Sequence, residues 1–236
     1  MPHQKLLSEV RDGVLTLSLN RPAKLNAIDN ELARALLAAI EAAAADASIR
    51  VVRLRGNGRS FCAGRDVGAE PTEEDLVLVQ AVARSIARLP KPVLAAVHGW
   101  VVGAGVEWML DADIVIAAGT TRFKLPEASL GVFVTGGICA TLPATAGLAR
   151  AKALMLLGEE FSAEQAQAWG MVWKVVPDDQ LDKLSEQLAA QLAALEPTVA
   201  VAFKRVLNTI GLSTFDNAIE LENQTQRAFV THQPAC

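Results

Sequence analysis

Glu107 and Glu127 stand in apolar company, where a carboxylate is costly to bury. Glu107 lies in Gly105-Val-Glu-Trp-Met-Leu110 and Glu127 in Lys124-Leu-Pro-Glu-Ala-Ser-Leu-Gly131. Burial disfavours the charged form and raises the pKa, which suits a carboxyl that gives or takes a proton near neutral pH. Two such groups converging on one substrate can place one proton and remove another. The plainer reading has Glu107 capping a helix N-terminus and Glu127 exposed in a loop. On the residues alone both readings stand.

A second kind of chemistry needs no side chain. Gly103-Ala-Gly105 follows an apolar strand and opens a helix, a turn that leaves backbone N–H groups unpaired. Two such donors, helped by the helix dipole, can hold a developing oxyanion. Phe61-Cys-Ala-Gly-Arg-Asp66 is another small-residue loop after a strand and a source for the other donor. GxG by itself is more often a tight turn. Trp108 occupies the third glycine position of GxGxxG, and no Walker A sequence is present. His98 reads as a packing residue, and Asp111 and Asp113 as structural hydrogen-bonding groups. Cys62 has no identifiable His or Asp partner to make it a nucleophile. Trp100 and Trp108 can line an acyl pocket or belong to the core, and Lys24 can meet a phosphate or remain a surface lysine.

These residues need a scaffold, and the pattern supplies one. Val14 to Leu19 alternates as a half-buried strand. Asp29 or Asn30 caps a helix with Leu32, Leu36, Ala39 and Ile40 on its inner face. Val51 to Arg55 is a strand, Thr72 to Leu89 a helix, and Val93 to Val97 a continuous apolar run expected of a strand covered on both faces. A helix from Val106 to Ala112 precedes strands at Asp113–Ala117 and Arg122–Lys124. Strands alternating with helices predict an α/β core to about residue 140, extending to about 175. A helical segment follows over about 176–236. Ser162-Ala-Glu-Gln165 has capping-box spacing before Ala166 to Trp169, and helices are expected over 179–195, 197–210 and 213–230. No internal repeat is detectable in the sequence.

Composition limits the classes of function. The 236 residues carry 22 Lys and Arg against 26 Asp and Glu, a net charge of −4. That argues against binding nucleic acid through bulk positive charge. With 51% hydrophobic and 20% charged residues the chain is too apolar to be disordered. No apolar run reaches the roughly 18 residues of a membrane span. The N-terminus MPHQKLLSEV has no apolar export region. Cys62, Cys139 and Cys236 have no CxxC spacing, so neither a disulfide framework nor a metal site is expected, and a reducing, cytoplasmic setting is.

Several segments in order resemble the enoyl-CoA hydratase/isomerase family, or crotonase superfamily. They are Leu19-Asn-Arg-Pro-Ala-Lys-Leu-Asn-Ala27, Ser60-Phe-Cys-Ala-Gly-Arg-Asp66, and Lys91-Pro-Val-Leu-Ala-Ala-Val-His-Gly99 with Val102-Gly-Ala-Gly-Val-Glu107. Phe123-Lys-Leu-Pro-Glu-Ala-Ser-Leu-Gly131, Thr135-Gly-Gly137 and Phe161-Ser-Ala-Glu-Gln-Ala-Gln-Ala-Trp-Gly-Met-Val172 follow. The resemblance spans about residues 8 to 231 and is far more specific than a lone GxG.

It implies a crotonase-like spiral of repeated β-β-α units, closed by C-terminal helices that build a homotrimer or a dimer of trimers. It implies an acyl-CoA thioester substrate and no metal or redox cofactor, while charge and hydropathy speak against a nucleic-acid or membrane partner. The thioester oxygen would sit between the backbone N–H groups of Ala63 and Ala104. Ala63, Gly64, Arg65 and Asp66 would line the CoA-binding loop, with Lys24 and Leu25 near the nucleotide end. Glu107 would hold and activate water, and Glu127 would deliver a proton to the α carbon. Both acids being present, the leading expectation is a 2-enoyl-CoA hydratase. An enoyl-CoA isomerase, a hydratase-lyase on another acyl-CoA, and a non-catalytic CoA-binding scaffold are the alternatives. Ala104 stands where glycine is frequent, and Arg65 where a small residue is common. Val132-Phe-Val-Thr-Gly-Gly137 differs from the usual Pro-Gly stretch, and no tyrosine is available for an aryl pocket. Relatives usually continue about one helix further, so the sequence is expected either to be a shorter protein or to omit a tail.

Overall fold

The structure is a computed structural model that describes residues 4–66, 68 and 72–232. Strands β1 (Leu6–Arg11) and β2 (Val14–Leu19) form an antiparallel hairpin that enters helix α1 (Asn30–Ala45). The Asp29 side chain caps α1 by accepting from Leu32 N at 2.9 Å. Then come β3 (Val51–Gly56), α2 (Glu73–Arg88), β4 (Val93–Val97), β5 (Trp100–Val102) and α3 (Ala104–Leu110). Next are β6 (Ile114–Ala118), β7 (Arg122–Lys124), α4 (Ile138–Ala146), α5 (Leu148–Leu157), β8 (Phe161–Ser162), α6 (Ala163–Ala168) and β9 (Lys174–Val176). Helices α7 (Leu181–Ala193), α8 (Pro197–Gly211) and α9 (Phe215–His232) complete the described chain.

The large sheet has the order β1-β2-β3-β4-β6-β9 and is parallel from β2 onward. A small sheet, β5-β7-β8, lies beside it. The two sheets share one winding. After β4 the chain crosses to β5 and turns into α3. After β6 it crosses to β7 and leads on toward α4. After β3 it touches the small layer through a single bridge, Cys62 to Val101, before α2. This is the β-β-α spiral, a repetition of backbone path with no matching repetition of side chains.

Both faces of the large sheet are covered, which explains the unbroken apolar run of β4. Val52, Leu54, Val93, Ala95 and Val97 enter the main core with α1, α2 and α3. Val51, Leu94, Ala96, Ile116 and Ala118 face α7 through Leu181 and Ala189. Arg53 lies in that second layer, donating to Ser185 Oγ at 3.0 Å and Thr16 Oγ1 at 3.2 Å. A buried guanidinium is tolerated there because its hydrogen bonds are made.

Several expectations change. Strand β1 and the short strands β5, β8 and β9 were not legible, because pairing rather than local alternation makes them strands. Helix α3 begins at Ala104, two residues before the expected Val106, and Asp113 precedes β6. Ala39 is only half-buried, while Ala33 and Ala43 are buried on the inner face of α1. The Ser162–Gln165 capping box is present in both directions, at 3.3 and 2.8 Å.

Candidate active site

Helix α3 starts abruptly from Gly103, whose φ of 52° and ψ of −123° suit glycine alone. A Cβ there would also stand 2.5 Å from Glu127 Oε1, so the bare glycine lets that carboxyl approach the turn. Glu107 sits on the first turn of α3 and is 1% exposed. Its Oε1 accepts from Thr135 N at 3.2 Å, and its Oε2 has no partner among the described residues. Gly136 faces Oε2 so closely that a Cβ would lie 2.5 Å away. Glu127 opens a 3-10 turn, Glu127–Leu130, after Pro126, and its Oε2 is buried without a partner.

The helix-cap and exposed-loop readings therefore fail for both acids. Burial pushes Glu127 up to about 7. Glu107 is held well above the usual carboxylate range, by burial first and then by the charges of Glu127 and Glu222. Neighbouring carboxyls so placed hold one proton between them over a span of pH.

The two small-residue turns meet at these acids. Gly64, at φ 82°, packs so tightly on the second turn that a Cβ would sit 2.8 Å from Val102 O and 3.7 Å from Ala104 N. Ala104 N–H, at the first position of α3, has no acceptor among the described residues. The expected partner donor, Ala63, is corrected. Its N–H is already committed to Leu25 O at 3.0 Å. Along the same loop Ile28 N–H donates to Gly64 O and Asp66 N–H to Ile28 O, which leaves Arg65 N–H without an acceptor among the described residues. The bridge to Ile28 thus occupies the loop on either side of Arg65, whose own N–H stays uncommitted among the described residues. Sequence spacing does not reveal which amide the bridge consumes.

These groups surround one cavity of about 240 Å³. Ala63, Gly64, Arg65, Asp66, Ala104, Glu107 and Glu127 line it, as do Leu130, Val132, Phe133, Thr135 and Gln226. Asp66 braces its loop by an ion pair to Arg21 at 2.9 Å, and Arg65 pairs with Asp75 at 3.1 Å. Lys24 and Leu25 do not line the cavity. Leu25 borders a separate cleft with Arg59, Trp100 and Arg122, and touches the site only through its carbonyl. Trp108 is fully buried core with its indole N–H on Val79 O, and Trp100 is in the separate cleft, so neither tryptophan lines this cavity. Cys62 is buried with its thiol pushed up to about 12, no nucleophile. His98 bonds Gly58 O at 2.9 Å, the structural role expected of it. Gln226 was missed, because it comes from α9, some 90 residues beyond the rest of the site.

The family model described as enoyl-CoA hydratase/isomerase matches residues 9–235. The chain belongs to that family. It is 40% identical over 233 residues to the 1,2-epoxyphenylacetyl-CoA isomerase of Escherichia coli (strain K12), covering 94% of this chain and 88% of the relative. It is 39% identical over 208 residues to the 2,3-dehydroadipyl-CoA hydratase of the same organism, covering 86% and 81%. A solved enoyl-CoA hydratase from Mycobacterium avium subsp. paratuberculosis K-10 superimposes with a TM-score of 0.93 at 32% identity, over 99% of this chain and 96% of that one. The spiral and the C-terminal helices are thus the crotonase fold, and the substrates of the family are acyl-CoA thioesters.

Behind the cavity this member of the enoyl-CoA hydratase/isomerase family buries more acid. Glu222 of α9 accepts from Gly137 N at 2.7 Å and Cys139 N at 2.8 Å, closing the N-terminus of α4 beside the Thr135–Gly136 stretch that holds Glu107. Asp113 accepts from Val93 N and pairs with Lys204 at 2.9 Å, as a structural acid should. Asp111 departs from expectation, since neither of its oxygens has a partner among the described residues and it is 3% exposed. Burial, then Glu107 and Glu222, push its carboxyl well above the usual range. A raised carboxyl destabilises increasingly as pH climbs from its unfolded value of about 3.9 toward its folded one. Asp111→Asn is therefore expected to raise Tm by a few degrees at pH 8, about 1–3 kcal/mol, and by much less at pH 5. Thermal melts at the two pH values check this, and an equal or negative change at both would refute it.

Proposed function

We propose that this chain hydrates 2-enoyl-CoA thioesters. The observation that carries the reading is the convergence of two raised carboxyls, Glu107 and Glu127, with two uncommitted amides, Arg65 and Ala104, on one cavity. Water adds through its oxygen to the β carbon. Glu107 takes the water proton and Glu127 delivers its own to the α carbon, so the pair ends with the proton count it began with. Between these events the negative charge rests on the thioester oxygen, between the N–H groups of Arg65 and Ala104, where it is stabilised without reorganisation. The addition needs an acid, a base and an oxyanion site, so no metal or redox cofactor enters the proposal.

The CoA moiety would follow the Ala63–Asp66 loop outward toward Lys24 and Leu25. Helix α8 exposes Val199, Phe203, Val206, Leu207 and Ile210, an apolar stripe suited to a homotrimer or a dimer of trimers. Among the described residues no helix is long and apolar enough to cross a membrane. The three scattered thiols favour a cytoplasmic setting.

The relative named as an isomerase supports a second reading. Isomerisation uses the same enolate but moves one proton and leaves no water oxygen in the product. The test is a panel of 2-enoyl-CoA thioesters in heavy-oxygen water, followed by loss of enoyl absorbance, with the enzyme sized in parallel. Label in a 3-hydroxyl product supports hydration. Conversion without label transfers the reading to isomerisation.

A further inference from the structure

Helix α9 turns Phe215, Ala218, Ile219, Glu222 and Gln226 inward at three- and four-residue spacing. The first three are apolar and pack with Ala87 and Ala140. The stripe becomes polar as it reaches the active-site cavity. Glu222 uses both oxygens on backbone amides of α4. Gln226 uses only its carbonyl, which accepts from Phe133 N at 2.6 Å. That bond fixes the amide and leaves Nε2, a donor of two hydrogens, with no partner among the described residues. Gln226 is 8% exposed and lines the cavity beside Leu130, Val132 and Phe133. Nε2 is thus open to the cavity, and an apolar ligand group that covers it would strip its water and leave the donor unpaired.

We propose that Gln226 is a specificity-determining residue whose Nε2 donates to a neutral oxygen (keto, hydroxyl or ether) on the acyl group. Neutrality follows from Glu107 and Glu127, whose charge an anionic acyl terminus would meet in the same cavity. A plain alkyl chain leaves the donor unpaired, and sites built around such donors reject ligands that lack the acceptor. The inference rests on the acyl-CoA reading but not on which reaction follows binding.

Calorimetric binding of hexanoyl-CoA, 4-oxohexanoyl-CoA and 5-oxohexanoyl-CoA to the wild type and to Gln226→Met tests it. None of these saturated esters requires turnover. At least one oxo ester is expected to bind wild type about 10-fold tighter than hexanoyl-CoA, the value of one well-placed hydrogen bond. Gln226→Met is expected to abolish that preference and to leave hexanoyl-CoA within about 3-fold of wild type. Equal wild-type binding of all three, a preference for hexanoyl-CoA, or a preference that survives the substitution overturns the assignment. So does an equal loss for all three esters, the mark of a purely structural role through Phe133. Failure of wild type to bind any of the esters would remove the acyl-CoA reading itself, whereas hexanoyl-CoA binding without an oxo preference removes only the role of Gln226.

Discussion

Glu127→Gln is expected to lower kcat for enoyl-CoA hydration by about 10²–10⁴-fold, the range for losing a positioned acid or base. Glutamine keeps the shape of the side chain beside Gly103 but cannot release a proton to the α carbon. Binding of saturated acyl-CoA should change little, since the free amides and the apolar wall remain. The pH profile sharpens the test. Burial lifts Glu127 to about 7 and holds Glu107 well above the usual carboxylate range, so the two titrate as a pair that loses its first proton near neutrality and shares the one that remains. Below that point both carboxyls are protonated and no base exists for water. Above it one proton is shared, and the form with Glu127 protonated and Glu107 ionised fills both roles, until the last proton leaves at higher pH and no acid remains. Wild-type kcat should therefore rise as pH passes up through about 7 and fall again beyond. The variant should lose the limb near neutrality. A rate within tenfold of wild type, or an unchanged profile, would exclude Glu127 from the proton transfer.

Ala104→Pro is expected to cost about 10²–10³-fold in kcat, as for removal of one oxyanion donor. The substitution is unusually clean for a backbone group. Ala104 is the first residue of α3, where proline's fixed φ fits and no intrahelical hydrogen bond is lost. Gly103, the preceding residue, has the mirror image of the extended conformation that proline requires before it. The ring deletes the N–H and places a carbon in its direction, so the thioester oxygen loses both its partner and its seat. Circular dichroism should remain that of wild type while turnover collapses. A folded variant with turnover near wild type would remove Ala104 from the site. Arg65 then remains the sole uncommitted amide facing the cavity, and a single donor is a weak oxyanion site.

Legibility in the sequence followed the range of the physics. The long helices α1, α2, α7 and α8 and the strands β2, β3 and β4 were readable because hydrophobic period, caps and breakers act within a few residues. The Ser162 capping box is of the same kind. β5, β8 and β9 were invisible because two or three residues become a strand only when a distant partner pairs with them. The spiral was expected only through the family resemblance and left no internal repeat to read, since its turns repeat a backbone path while their side chains answer to different neighbours.

Glu107 and Glu127 were legible as candidates by themselves, since an acid among apolar residues is an anomaly at any level of structure. The glycine turns announced free amides. Their order along the chain carried the family resemblance. The sequence by itself therefore determined the fold class and the family, and marked the two acids as candidates. Tertiary structure decided which amides are left free for the proposed chemistry. Pairing of Ala63 N–H with Leu25 O consumes one donor and turns Arg65 N–H free, a register choice made between segments some 40 residues apart. It also decided that Asp111 lies unpaired among the described residues and that Gln226 reaches the cavity from α9. A side chain's type is local information. Its hydrogen-bond account closes only when every neighbour is in place, because a buried donor or acceptor is defined by what the rest of the chain leaves beside it.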